Sequence, residues 1–192
     1  MKRLLLFAAL VVCMAGTLHA QETEHLKFKG IPIEGSVDSF GCKLVAEGFS
    51  KVAQNAYRGK FMRSDCTVVL VGADNGMIWR VAIAFGDVNT WSTLRSSFDG
   101  YVDLYTEKYG RPTKIVKEFL GNYDYLVKNH ADMAMNAIFN DSCNYNAYWK
   151  LQHGSIDMRI VKGKSYRSGV IVITYTDDTN KAVVRSADLD EI

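Results

Sequence analysis

A chain of 192 residues with 23 Lys and Arg against 21 Asp and Glu has no basic footprint for nucleic acid or for an anionic membrane surface. Two prolines, no low-complexity run and 48% hydrophobic residues exclude a disordered or fibrous chain. The length suits one domain, or two small packed halves, and needs no disulfide staple to bury a core.

The first twenty residues read as an export signal. Lys2 and Arg3 form a positive start, Leu4 to Met14 an apolar run, and Ala15 to Ala20 a smaller-residue stretch ending in alanine. The run of about 11 residues falls short of the roughly 20 that span a bilayer. Cleavage after Ala20 starts the exported chain at Gln21, although Leu18 is larger than the small residue preferred at that site. Cys13 lies inside the run behind Val12, which argues against a lipid-modified cysteine. No later segment is long and apolar enough to span a membrane, so the expected location is the periplasm or the cell exterior.

Removing residues 1–20 takes Lys2 and Arg3 away and leaves 172 residues with 21 basic and 21 acidic side chains. It also removes Cys13 and leaves Cys42, Cys66 and Cys143. An oxidising compartment allows one bridge and one leftover thiol. Three pairings are open. Cys66 with Cys143 is favoured, because each follows an acidic or polar loop and opens a strand-like run. Three packed, reduced thiols are the other reading. Without a C-x-x-C spacing, a thioredoxin-type motif or zinc knuckle has no support.

The first ordered segment follows the turn-rich Gly30–Gly35. Ser36 suits a helix N-cap, Asp38 the first turn, and Val37, Phe40, Gly41, Leu44 and Val45 fall at helical spacing before Gly48. Phe61–Asp65 and Thr67–Val71 are predicted strands. Ala73-Asp74-Asn75-Gly76 is a hairpin turn. Met77–Phe85 returns as a strand, with Trp79, Val81, Ile83 and Phe85 on one face and Arg80, Ala82 and Ala84 on the other.

The strongest helix pattern comes next. Trp91, Leu94, Phe98, Tyr101, Tyr105 and Tyr109 form one aromatic stripe, capped by Asn89 or Thr90 and ended by Gly110 and Pro112. Lys114–Leu120 is a predicted strand. A short helix is expected around Asp132–Phe139. In Asn144–Leu151, Tyr145, Ala147, Trp149 and Leu151 alternate with Asn144, Asn146, Tyr148 and Lys150. Gln152-His153-Gly154 is a turn. Ser155–Val161 sends Ile156, Met158 and Ile160 inward and Asp157 and Arg159 outward. Gly169–Tyr175 is β-branched enough to be buried on both faces. From Asp177 on, a polar tail (177–192) is expected to be frayed or weakly helical.

These elements define an α+β fold. Two loosely repeated helix-plus-antiparallel-sheet units, about 28–88 and 89–176, share one curved sheet with the helices packed on one face. The residues Phe28–Gly35, Gly59-Lys60-Phe61-Met62, Glu107–Pro112 and Ile173–Asp177 carry a resemblance to exported proteins of the Bacteroidetes. The layout resembles the tandem helix-plus-sheet fold of the β-lactamase inhibitor proteins and of the BamE/OmlA-type envelope proteins. The resemblance covers most of the exported chain. It rests on turns and core positions, so it implies a fold and no catalytic or ligand-binding residue.

Chemistry-bearing patterns are sparse. His25, His130 and His153 have no partner histidine at metal-ligand spacing, and Asp177-Asp178-Asn180 is too sparse for calcium. No metal and no cofactor is expected. Asn140-Asp141-Ser142 matches a glycosylation acceptor, relevant only to a eukaryotic secretory route. A thiol nucleophile at Cys143 with His130 or His153 as base would make a cell-envelope hydrolase. The polar sheet face offers the other reading. Arg80, Tyr148, Lys150, Asp157 and Arg159 are the candidate binding residues, since Tyr and Arg are enriched at binding hot spots. The leading expectation is therefore a non-enzymatic exported module binding another envelope or extracellular protein. A structural part of an outer-membrane assembly is a further alternative.

Overall fold

The computed structural model describes residues 25–190. The expected export signal and its cleavage site lie outside them. The described chain opens with a small hairpin, β1 (Lys27–Phe28) and β2 (Ile31–Pro32). Its Phe28 is fully buried, with its ring against Phe61 and Tyr175 at centroid distances of 5.1 and 5.5 Å.

Helix α1 (Val37–Ala46) begins where the capping pattern places it: Ser36 Oγ accepts from Ser39 N at 3.1 Å. It buries Val37, Phe40 and Leu44. Gly41 is needed there, because a Cβ would collide with the hydroxyl of Tyr57.

Four strands follow as a meander: β3 (Ser50–Ala53), β4 (Ala56–Phe61), β5 (Ser64–Gly72) and β6 (Ile78–Phe85). This corrects the sequence reading, which expected strand at Phe61–Asp65 and none from Ser50 to Lys60. Phe61 pairs with Ser64 across a two-residue turn, Met62-Arg63, with φ of 49° and 65°. Tight hairpins need positive φ at both central residues. Neither Met nor Arg signals that conformation, so the turn is imposed by pairing of the flanking strands.

Helix α2 (Trp91–Tyr109) carries the aromatic stripe. Leu94, Phe98 and Tyr105 are buried, and Trp91, Tyr101 and Tyr109 pack against the core's edge. Beyond it lie β7 (Lys114–Phe119), α3 (Asn122–Asn129), α4 (Met133–Phe139), β8 (Cys143–Leu151), β9 (Gly154–Lys162) and β10 (Gly169–Asp177).

The eight strands β3 to β10 form one antiparallel sheet of order β3-β4-β5-β6-β10-β9-β8-β7. The last strand of each meander, β6 and β10, meet at the centre, with Ile173 opposite Ile83 and Tyr175 opposite Val81. The architecture is α+β. Phe40 and Leu44 of α1, Leu94 and Phe98 of α2 and Ile138 of α4 join one core with Val68, Val81, Ile83, Trp149, Ile156, Met158 and Ile173. Each such side chain contributes roughly 1.5–3 kcal/mol on burial. Trp149 Nε1 donates to the Gly110 carbonyl at 3.0 Å, tying the end of α2 to the sheet. The hydroxyls of Tyr105 and Tyr175 lie 2.5 Å apart, and burial raises both phenols above their ordinary range.

The polar tail expected from Asp177 on to be frayed or weakly helical is helical, and its start is held by buried contacts. Asp177 is the last residue of β10 and is fully buried, and Asp178–Asp190 is a helix, α5. Asp177 Oδ2 accepts from Leu26 N at 2.8 Å, and Oδ1 accepts from Asn180 N at 2.8 Å. Asn180 Nδ2 donates to the Ile33 and Ile78 carbonyls at 2.9 and 2.8 Å. Two buried polar side chains thus dock the start of α5 on the segment Leu26–Ile33 and on β6.

Candidate functional site

The face of the sheet opposite α1, α2 and α4 is built by strand alternation. Tyr145, Ala147 and Trp149 of β8 point into the core, so Asn146, Tyr148 and Lys150 point away. By the same rule β9 turns out Ser155, Asp157 and Arg159, β10 turns out Val172, Thr174 and Thr176, and β6 turns out Arg80 and Ala82. Pairing aligns these into rows. Thr176 stands opposite both Arg80 and Ser155, Thr174 opposite Ala82 and Asp157, and Asp157 opposite Tyr148.

The central residues Val172, Thr174 and Thr176 are short, and those around them are long. The result is an open hollow of about 440 Å³ with Arg80, Tyr148, Asp157 and Arg159 on its walls and Lys181 of α5 at its rim. A second hollow of about 370 Å³, lined by Lys114, Asn144 and Asn146, adjoins it across Arg159 and Val161. Four of the five candidate binding residues therefore line one site. The fifth, Lys150, stands opposite Ser155 at the far end of the Arg80–Thr176–Ser155 row, outside the hollow, and is ion-paired with Asp178 at the start of α5. That hydrogen bond raises the lysine's pKa.

Asp157 and Arg159 satisfy each other. Asp157 Oδ1 accepts from Arg159 Nε at 2.5 Å, and Oδ2 accepts from Nη2 at 2.9 Å. Asn146 Nδ2 adds a bond to Oδ2 at 3.1 Å. The bidentate pair raises the Arg159 pKa, by the hydrogen bond first and the carboxylate's charge after it.

Arg80 is different. Its guanidinium lies 4.2 Å from the centroid of the Trp79 ring, and its Nε is buried without a hydrogen-bond acceptor. The sequence reading put Trp79 on the core face with Val81 and Ile83. A bulge overturns that. Val71 pairs with Arg80 and Gly72 with Ile78, so Trp79 is the extra residue. Ile78 takes the core position and is fully buried, while Trp79 is only half-buried and stacks on Arg80.

Sequence reasoning missed Lys181 and the short residues Ser155, Val172, Thr174 and Thr176 that line the hollow, and it missed Trp79, which stacks on Arg80 behind it. No local signal marks the bulge. The helical run Ala182-Val183-Val184 hints at α5, but not at the face its first turn would meet.

The favoured Cys66–Cys143 bridge does not form: Cys42, Cys66 and Cys143 are all free thiols. Cys66 is on β5 and Cys143 on β8, with β6, β10 and β9 between them. Four strand spacings amount to roughly 19 Å, whereas a bridge needs Cα atoms about 4.4–6.8 Å apart. Burial pushes the Cys143 thiol up to about 12 and, with the charge of Asp65, the Cys66 thiol up to about 11. A thiol so protonated is a poor nucleophile at neutral pH. Cys143 starts β8 and His153 lies beyond its far end, roughly 25 Å along the strand.

Among the described residues no group of three His, Cys, Asp or Glu side chains is placed to hold a metal ion. None of their helices is long and apolar enough to cross a membrane. No protein-family model, curated protein or solved structure matches this chain. The site is therefore read from its own geometry.

Proposed function

We propose that this chain is an exported, non-enzymatic binding module that presents the sheet face opposite α1, α2 and α4 to another envelope or extracellular protein. Support for export comes from residues 1–20 and their tripartite layout. Support for binding comes from one observation above all. Arg80 is stacked on an aromatic ring at the edge of an open hollow, with a donor left unmet, while neighbouring charges are already paired. Binding hot spots have this composition: an aromatic and an arginine at the centre, surrounded by groups that contribute little themselves.

Protein suits the site better than a small ligand. Small-molecule sites enclose most of their ligand, and this hollow is open along a broad sheet face. The test is crosslinking in intact cells followed by mass spectrometry of what is captured. Tyr148→Ala and Arg159→Ala are expected to leave the far-ultraviolet circular dichroism and Tm unchanged and to abolish capture of the same partner. Capture unaffected by both substitutions refutes the proposal.

A further inference from the structure

We infer that the partner group seated in the hollow is a carboxylate, an aspartate or glutamate side chain on a protruding acidic segment of the partner protein, received by Arg80. This rests on the binding-module reading and names its chemistry. Three observations carry it.

The first is the charge balance. Arg80, Arg159 and Lys181 border the hollow against one carboxylate, Asp157, which Arg159 already occupies with two hydrogen bonds. Among the described residues no carboxylate lies within ion-pair reach of Arg80 or Lys181. The hollow therefore favours a negative group.

The second is the unmet donor. A buried charged donor without an acceptor is costly, and such groups in folded proteins call for an explanation. Stacking on Trp79 holds the guanidinium plane while leaving its hydrogen-bonding edge unused. Turning the Nε edge toward the hollow presents it to an acceptor carried by the partner, which removes the cost.

The third is an internal precedent. Two rows away, Arg159 uses its Nε and Nη2 side-on against both oxygens of Asp157. The same planar fork on Arg80 makes no hydrogen bond among the described residues, and a carboxylate is its geometric match. The hydroxyls of Tyr148, Ser155 and Thr174 border the hollow and make no hydrogen bond among the described residues, so they can complete the acceptor's shell.

The experiment titrates the exported chain with three probes at matched ionic strength: a capped hexaglutamate peptide, a capped hexaglutamine peptide and inorganic phosphate. The readout is the nitrogen-15 NMR signal of the Arg80 Nε–H. Hexaglutamate is expected to move it saturably and to bind at least tenfold more tightly than either control. Lys181→Gln is expected to weaken that binding several-fold, and Arg80→Gln to abolish the accompanying shifts at the Thr174 and Thr176 amides. Should Arg80→Gln fail to fold, Arg80→Lys keeps the charge without the fork and is expected to bind tenfold more weakly. An unmoved signal, or phosphate or hexaglutamine binding as tightly as hexaglutamate, overturns the inference. If it falls while Tyr148→Ala still abolishes partner capture, the binding-module reading stands alone. If capture also survives the face variants, both are gone.

Discussion

Replacing Asp177 by alanine removes one carboxylate and disconnects three donors at once. The side chain is fully buried, and it accepts from Leu26 N and Asn180 N at 2.8 Å and contacts His25 Nδ1 at 3.2 Å. The two backbone donors lose their acceptor where water does not reach easily, at about 1–3 kcal/mol each. His25 can rehydrate more readily, since its side chain retains 11% exposure. A total near 4 kcal/mol follows, a large share of the roughly 5–15 kcal/mol that holds a domain together. At about 2–4 °C per kcal/mol for a chain of this size, the expected fall in Tm is roughly 8–16 °C. Thermal unfolding followed by circular dichroism measures it, and hydrogen exchange at the Asn180 amide shows whether α5 has lost its anchor. Asp177→Asn keeps one acceptor oxygen and should fall between wild type and alanine. A Tm within about 3 °C of wild type for the alanine variant, with Asn180 protection unchanged, would refute this account of how α5 is docked. Because α5 carries Lys181 to the hollow, the same variant should also weaken hexaglutamate binding.

Other expectations follow from the thiols and the tight backbone contacts. Iodoacetamide on the native protein should modify the exposed Cys42 quickly, spare the buried Cys66 until guanidinium is added and label Cys143 far more slowly than Cys42; equal native labelling of Cys143 would contradict its partial burial and raised pKa. The folded state raises the Cys143 pKa from 9.0 to about 12, so the unfolded chain releases this proton first. Its contribution to stability is complete below pH 9 and declines as pH rises toward 12, by on the order of 2–3 kcal/mol at pH 11. Urea titrations of wild type and Cys143→Ala should therefore diverge above pH 9, with the variant losing less on going from pH 8 to pH 11; parallel curves would contradict the shift. Gly154→Ala would drive a Cβ into the Thr176 carbonyl, between β9 and β10. A loss of about 1–3 kcal/mol is expected, read as a lower urea midpoint with unchanged slope.

Much of the site was legible in the sequence because side-chain alternation is a property of a single strand. Tyr145-Asn146-Ala147-Tyr148-Trp149 and Ile156-Asp157-Met158-Arg159 each allow one assignment of faces, since the reverse would bury Asp157 and Arg159 and expose Trp149. The helices at Ser36 and through the aromatic stripe were equally clear from caps and 3.6-residue spacing. The strand pair β3–β4 was not, because Ser50–Ala53 is an exposed edge and the Met62-Arg63 turn lacks glycine and asparagine. Cys66 and Cys143 looked like a pair only because each opens a strand-like run. That local likeness carries no information about the three strands between them.

By itself, the sequence determined which side chains leave the core together on β8 and β9, the end of α2 at Gly110, and the equal count of 21 basic and 21 acidic side chains beyond residue 20. Tertiary structure alone decided that β10 lies between β6 and β9, which sets Thr176 between Arg80 and Ser155 and so closes a row of one hollow. It alone placed the bulge that lifts Trp79 from the core onto Arg80, and the Asp177–Asn180 contacts that bring Lys181 to the rim. The division has a physical cause. Periodicity and capping are local free energies written in neighbouring residues, while strand order and bulges minimise a sum over contacts between residues far apart in the chain.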